Sequence, residues 1–129
     1  MSFNLLFVAD VVGRPGREAL EDRLASLRAE LDVAICVVNG ENIADGVGIT
    51  PKLAERLLAA GADAITLGNH TWRRPEIGPY LATSDRVVRP ANLAASAPGR
   101  GITIVAATDG TPVGVVNVMG SLSLQPARS

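Results

Sequence analysis

The sequence contains one cysteine and one histidine, and its charges nearly cancel. Cys36 therefore cannot form an internal disulfide, and its place in an apolar segment indicates a small buried residue in a reducing compartment. With 12 Lys and Arg against 13 Asp and Glu, the formal net charge is -1, so no general attraction to nucleic acid or to an anionic membrane is expected. Any nucleotide must be held by local contacts.

Long apolar segments are also missing. No apolar run approaches the roughly 20 residues that a membrane-spanning helix needs, and the first residues lack the basic and apolar regions of a signal peptide. Hydrophobic residues make up 47% of the 129-residue chain and charged residues 19%, which is typical of a folded globular protein. We therefore expect a cytoplasmic protein with a single domain over residues 1–129, no membrane contact and no extended nucleic-acid-binding surface.

Three short apolar segments predict strands that are buried on both faces of a parallel sheet. They are residues 4–9, 33–39 and 64–67. The first of them is expected to be the central strand. Helical patterns separate the three segments, with leucines at helical spacing over residues 17–28 and a second helix between the capping Thr50 and Gly61. The chain therefore begins as a parallel βαβαβ core.

The last third of the chain predicts an antiparallel arrangement. A short helix at 75–81 and a fourth strand at 87–89 precede a loop rich in small residues. Residues 102–106 and 113–118 then flank Asp109-Gly110, a dipeptide typical of β-hairpin turns. The predicted fold class is α/β, with a parallel βαβαβ core followed by a C-terminal β-hairpin.

Oxygen-bearing side chains follow all three predicted core strands. Asp10 follows the first strand, Glu41 and Asn42 follow the second, and Asn69 and His70 follow the third. Because ligands of open α/β sheets bind outside the carboxyl ends of parallel strands, we expect one shared site. Carboxylate and amide oxygens suit hard divalent cations, and imidazole adds a nitrogen ligand for iron, manganese or zinc. Glu41 could bridge two cations for phosphoryl displacement, and His70 could protonate the departing oxygen.

The same residues also have structural interpretations, and the pattern alone leaves both open. Asp10 is equally suited to cap the following helix or to order its own turn, and Glu41-Asn42 to form a solvated loop. A lone histidine such as His70 is more often structural than catalytic. The coincidence of such residues on three successive strand ends favours the functional interpretation.

Signals for phosphate binding outside these strand ends are weak. The Gly13-Arg14-Pro15-Gly16 loop could cradle a phosphate through backbone N–H groups, but it matches neither a P-loop nor the dinucleotide fingerprint. Several arginines are expected near loops on the same side of the sheet, where they could contact phosphate or only keep the surface soluble. They are Arg14, Arg17, Arg73, Arg74 and Arg89.

Four ordered sequence blocks resemble the YmdB-like branch of the calcineurin-like metallophosphoesterases. They are residues 8–17 (VADVVGRPGR), 38–46 (VNGENIADG), 62–72 (ADAITLGNHTW) and 89–92 (RPAN). The resemblance extends to about Met119-Gly120 and implies the first half of a four-layer α/β/β/α metallophosphoesterase. It also implies hydrolysis of phosphodiesters, such as 2′,3′-cyclic nucleotides, by a dinuclear centre of iron or manganese.

Carried over position by position, the resemblance assigns a role to each polar strand end. Asp10 and Asn42 correspond to ligands of the first metal, Glu41 to the carboxylate that bridges both metals, and Asn69 to a ligand of the second. His70 corresponds to the proton donor.

The chain also departs from the family pattern. The family's remaining histidine ligands come from a second half of the fold, whereas His70 is the only histidine here, and Arg73 stands where the family typically has an acidic residue. We therefore expect an N-terminal half with an incomplete metal centre, completed by a homo-oligomer or by a separately encoded C-terminal half. The alternative is a non-catalytic, truncated or degenerate module that binds a nucleotide or a partner protein.

Overall fold

A computed structural model of the chain describes residues 3–121. Its helices and strands follow in the order β1 (Asn4–Val8), α1 (Gly13–Glu30), β2 (Val33–Asn39), α2 (Pro51–Ala60), β3 (Ala64–Thr66), α3 (Ile77–Thr83), β4 (Val87–Val88), β5 (Ile102–Ala106) and β6 (Pro112–Val116). Every predicted element is present, with shifted ends.

Strands β1 to β4 form a parallel sheet in sequential order, which confirms the βαβαβ core and the fourth strand. The prediction that the first strand is central is wrong within residues 3–121, because β1 lies at one edge of the sheet that they form. Its Leu6 and Val8 pack against the helix-side core, but Leu5 and Phe7 on its other face are 54% and 53% exposed. An apolar run in the sequence therefore does not distinguish a central strand from an edge strand.

All three helices pack on one face of the parallel sheet. Leu24 of α1, Leu57 of α2 and Leu81 of α3 are fully buried in one cluster with Cys36 and Ile65 of the strands. This cluster is the main hydrophobic core, and it fixes the sheet from one side. No helix within residues 3–121 is long and apolar enough to cross a membrane.

Helix α1 begins at Gly13, so the predicted phosphate-binding loop is the first turn of this helix. Pro15 fits there because the first N–H groups of a helix have no intrahelical partner. Asp10 does not cap the helix, since the capping position is Val12, which makes no side-chain cap bond. The structural role suggested for Asp10 as a helix cap is therefore wrong.

Strands β5 and β6 form the predicted antiparallel hairpin, with Asp109-Gly110 in its turn. Alternate hairpin residues, including Val105 and Val115, face the parallel sheet and pack in a second, smaller cluster with Val37, Ala64 and Val88. Within residues 3–121 the molecule thus has three layers: helices, parallel sheet and hairpin.

Candidate functional site

Backbone hydrogen bonds hold the loops after β1, β2 and β3 together at the carboxyl end of the sheet. The N–H groups of Val11 and Gly13 donate to the carbonyls of Asn39 and Asn42 at 3.2 Å and 3.0 Å, and Gly40 N–H donates to Thr66 at 3.0 Å. The three loops are therefore one structural unit. Their polar side chains meet, as expected for the ends of adjacent parallel strands.

Side chains from all three loops form a continuous hydrogen-bonded chain. The Asn42 amide Nδ2 donates to Asp10 Oδ1 at 2.6 Å, and the Asn42 Oδ1 lies 2.6 Å from His70 Nδ1. Asp10 has a positive φ of 51°. Residues other than Gly, Asn and Asp rarely adopt this left-handed backbone conformation. Its turn thus points the carboxylate toward the neighbouring loop.

This chain of contacts also determines which ring nitrogen of His70 is available. A carboxylate only accepts, so the Asn42 amide must turn its NH2 group to Asp10 and its oxygen to His70. His70 Nδ1 must then carry a hydrogen and donate it. The other nitrogen, Nε2, remains as the ring atom that can exchange a proton with a bound group.

Glu41 lies beside this chain and is held on three sides. Its Oε2 accepts from the His70 backbone N–H at 3.3 Å, and its Oε1 lies 3.5 Å from Asn39 Nδ2. A Cβ atom at Gly68 would overlap both Glu41 carboxylate oxygens. Only glycine at position 68 leaves room for the carboxylate in this place.

Asn69 is exposed and lies on a groove of about 630 Å³ together with Glu41, Asn39 and Gly68. The groove runs from these polar residues to an apolar end between β1 and β6. Asp10, Asn42 and His70 are not among its lining residues, so Glu41 and Asn69 are the two predicted site residues that border the groove. All five residues predicted from the sequence thus lie at one end of the sheet, with Asn69 outside the hydrogen-bonded set.

Sequence reasoning missed Asn39. Its Oδ1 is buried and has no hydrogen-bond partner within the described part of the chain, while its Nδ2 faces Glu41. Buried polar atoms without partners are rare in folded proteins. The available signal was the two-residue period of β2, which puts Asn39 on the same face as Val37, toward the hairpin and the groove.

Two of the five arginines predicted near this end of the sheet stabilise loops. Arg89 is 6% exposed and donates to three backbone carbonyls, and Arg74 donates to the carbonyls of Ala44 and Val47 at 2.8 Å and 3.2 Å. Arg14 and Arg17 lie 2.6 Å and 3.7 Å from glutamates of their own helix. Arg89 and Arg74 are thus engaged with backbone carbonyls, whereas the Arg14 side chain is 75% exposed and remains open to solvent.

The donor set fits part of a divalent-cation site. Asp10, Glu41, Asn42 and Asn69 offer the oxygen ligands that hard cations prefer. The Asn42 amide engages only one oxygen of Asp10, which leaves the other carboxylate oxygen available. Within residues 3–121, however, no group of three or more His, Cys, Asp or Glu side chains is arranged to hold a metal ion. The described residues fit one side of such a centre and do not complete it.

Comparison with known proteins identifies the family. The model of the family described as YmdB-like protein matches residues 6–129. The chain belongs to the YmdB-like family. It is 42% identical over 122 residues to a 2′,3′-cyclic-nucleotide 2′-phosphodiesterase of Bacillus subtilis, a match that covers 95% of this chain and 46% of the relative. It is 37% identical over 93 residues to a putative phosphatase/phosphodiesterase of Mycoplasma pneumoniae, covering 71% and 33%.

Two solved structures share the fold of this YmdB-like chain. A hypothetical protein from Thermus thermophilus matches with a TM-score of 0.87 and 34% identity, over 97% of this chain and 48% of that protein. A phosphatase from Mycoplasma pneumoniae matches with a TM-score of 0.87 and 30% identity, over 99% and 47%. The predicted family and fold class are confirmed, and the chain spans about half the length of the relatives that it matches most fully.

Proposed function

We propose that this chain carries one side of the active site of a metal-dependent phosphodiesterase, with 2′,3′-cyclic nucleotides as the substrate class. The observation that carries the proposal is the hydrogen-bonded chain from Asp10 through Asn42 to His70, with Glu41 beside it. These residues come from three strand ends of a YmdB-like chain, and a relative with 42% identity is named for hydrolysis of this substrate class.

In this proposal Asp10, Glu41, Asn42 and Asn69 hold divalent iron or manganese. Such a cation supplies an activated water and neutralises charge on the phosphate oxygens during in-line displacement. Glu41 would be the carboxylate shared between two such ions in a complete centre. Its position against Gly68 and Asn39 supports this role, because a carboxylate that is already held in place needs little rearrangement to act as a ligand.

His70 is the proposed proton donor to the departing oxygen. Asn42 fixes the imidazole by accepting from Nδ1, so Nε2 is the atom that delivers the proton. Hydrolysis of one ester bond of a cyclic phosphodiester frees a sugar hydroxyl, which needs a proton as the bond breaks. Removal of the imidazole therefore lowers the rate of bond cleavage without removing any proposed metal ligand.

Metal content and turnover test the assignment. The full chain is co-expressed with the part of the Bacillus subtilis relative that it does not match, and the complex is supplied with manganese. Elemental analysis is expected to show metal loss in Asp10→Ala and Glu41→Ala but not in the surface control Asp22→Ala. His70→Ala is expected to keep its metal and to hydrolyse a 2′,3′-cyclic nucleotide at least about 100-fold more slowly. Unchanged turnover in His70→Ala contradicts its role.

One observation favours a second candidate function. The residues from 3 to 121 contain no cluster of three acidic, histidine or cysteine side chains that could hold a metal. A non-catalytic module that binds a nucleotide or a partner protein would need no such cluster. This alternative predicts intact folding of the chain, no retained metal and no hydrolysis even when the second polypeptide is present.

A further inference from the structure

The loop that follows β2 carries Glu41 and Asn42 on an unusual backbone. We call residues 40–48 the Glu41 loop. Three of its residues have positive φ, at 54°, 90° and 83°, and they are Asp45, Gly46 and Gly48. The aspartate is strained in this conformation, and fixing two glycines costs conformational entropy. The turn therefore keeps one conformation only where contacts from outside it hold it in place.

The Arg74 side chain holds this turn from the neighbouring loop. Its Nη2 donates to the Ala44 carbonyl at 2.8 Å, and its Nε donates to the Val47 carbonyl at 3.2 Å. A Cβ atom at Gly48 would lie 2.9 Å from Arg74 Cγ, so the arginine stem rests against the Gly48 backbone. The Asp45 carboxylate is 3.7 Å from Nη2 and exposed, so it adds little. The planar guanidinium thus binds both carbonyls of the turn in a fixed geometry.

Arg74 itself belongs to the loop that carries His70. The His70 carbonyl accepts from the Arg73 N–H at 3.1 Å, and the Arg74 carbonyl accepts from the N–H of fully buried Ile77 at 3.0 Å. The Arg74 backbone is therefore fixed between the His70 turn and the start of α3. Its side chain ties the Glu41 loop to that turn.

The same two loops also meet at the candidate site. Asn42 Oδ1 lies 2.6 Å from His70 Nδ1, and Glu41 Oε2 accepts from the His70 N–H at 3.3 Å. The Gly48 N–H donates to the Glu41 carbonyl at 2.6 Å, so the turn that Arg74 holds is bonded directly to a site residue. Because a hydrogen bond is lost beyond about 3.5 Å, a loop displacement of about 1 Å would break the Asn42–His70 contact.

We propose that Arg74 is a positioning residue that sets the distance between Asn42 and His70, and thereby keeps the Nδ1 hydrogen of the imidazole directed at Asn42. Arg74 acts through the backbone of the Glu41 loop, since its guanidinium binds the carbonyls of Ala44 and Val47. The inference rests on the proposed function only for its effect on turnover. The state of the imidazole can be measured in the metal-free chain.

Arg86 provides a matched comparison. Its Nε donates to the Asp63 carbonyl at 2.9 Å, and its Nη2 donates to the Ala62 carbonyl at 2.6 Å. Arg86 and Arg74 are both half-buried, but Arg86 precedes β4 and binds the segment before β3, at the end of the sheet opposite the candidate site. The two arginines thus make the same kind of contacts in different places. An effect restricted to Arg74 cannot come from a general loss of stability.

The test compares Arg74→Met with Arg86→Met, because methionine keeps much of the apolar stem and removes every N–H donor. His70 is the only histidine, so nitrogen NMR of the metal-free full chain at alkaline pH reports its neutral tautomer without overlap. The unsubstituted chain and Arg86→Met are expected to show mainly the Nδ1–H form. Arg74→Met is expected to lose this preference, with at least about half of the rings in the Nε2–H form, because the Asn42 acceptor that selects Nδ1–H has moved.

Two results would overturn the inference: an Nδ1–H preference that is retained in Arg74→Met, or one that is lost equally in both variants. Where Arg86→Met does not fold, Arg74→Lys is compared with Arg86→Lys. Lysine keeps the charge but lacks the planar fork that reaches two carbonyls, so the same difference between the two positions is expected.

Turnover separates this inference from the proposed function. In the co-expressed complex supplied with manganese, Arg74→Met is expected to lower kcat for a 2′,3′-cyclic nucleotide at least about tenfold and to change KM by less than about twofold. Arg86→Met is expected to keep kcat within about twofold at the same temperature. A changed tautomer with unchanged kcat contradicts the proposed role of His70 alone, whereas an unchanged tautomer in Arg74→Met overturns this inference alone.

Discussion

The two faces of the parallel sheet differ in what covers them. On one face, three helices bury Leu24, Leu57 and Leu81 completely. On the other, the hairpin covers β3 and β4 but leaves Leu5 and Phe7 of β1 more than half exposed. The main hydrophobic core therefore lies on the helix side, while the hairpin side leaves apolar side chains of the edge strand β1 in contact with solvent.

The largest expected effect is the difference in the free energy of unfolding between a substitution on the helix side and one on the hairpin side. Leu57→Ala is expected to lower the free energy of unfolding by about 3 kcal/mol, because it leaves a cavity in the buried core. Leu5→Ala is expected to lower it by less than about 1 kcal/mol, since the side chain is already half in water. Urea unfolding of the purified chain measures both values. Similar losses in the two variants would show that Leu5 is also buried in the purified chain.

The second effect concerns the polar end of the hairpin side. Gly68→Ala is expected to weaken manganese binding at least about tenfold, or about 1.4 kcal/mol, because the new Cβ would overlap the Glu41 oxygens and must displace the carboxylate. Gly78→Ala in α3, on the helix side, is the matched control, since a Cβ there meets only the Pro98 side chain at 3.9 Å, an ordinary contact. Calorimetric titration of the co-expressed complex measures both. Equal affinities would contradict the role of Glu41 as a ligand.

The smallest expected effect is a change in the pH dependence of stability, and it concerns Cys36 on the helix side of the sheet. Burial raises the pKa of its thiol from 9.0 to about 11, so the folded protein resists deprotonation that the unfolded chain allows. The stability that depends on the neutral thiol is therefore present below pH 9 and is lost as the pH rises toward 11. Unfolding in urea between about pH 8 and pH 11 should show a steeper loss for the unsubstituted chain than for Cys36→Ala. Equal losses of stability in the two proteins would contradict the burial of the Cys36 thiol away from water.

Local patterns were sufficient to predict most elements of the fold. Leucines at helical spacing predicted α1, and Thr50 with Pro51 marked the start of α2, where the Thr50 side chain accepts from the Leu53 N–H at 3.3 Å. Asp109-Gly110 predicted the hairpin turn. These signals succeed because helix caps and turns depend on residues within a few positions of one another.

The same patterns failed where the answer depended on distant segments. Segment 4–9 has the apolar composition of a central strand, but its place at the edge depends on which strands pair with it. Buried Arg89 was grouped with surface arginines because its backbone acceptors lie in a loop eight and nine residues away.

The sequence by itself determined which polar residues follow the strands. It also indicated that the parallel strands bring these residues to the same edge of the sheet. It named Asp10, Glu41, Asn42, Asn69 and His70 as one candidate set, because side chains that follow parallel strands emerge at the same edge of a sheet. Only the tertiary structure decided how they are connected: Asn42 spans Asp10 and His70, Glu41 rests against Gly68, and Asn39 joins them. The contacts of Asn42 depend on distances between loops 28 and 32 residues apart, which packing of the helices and strands sets and local sequence does not.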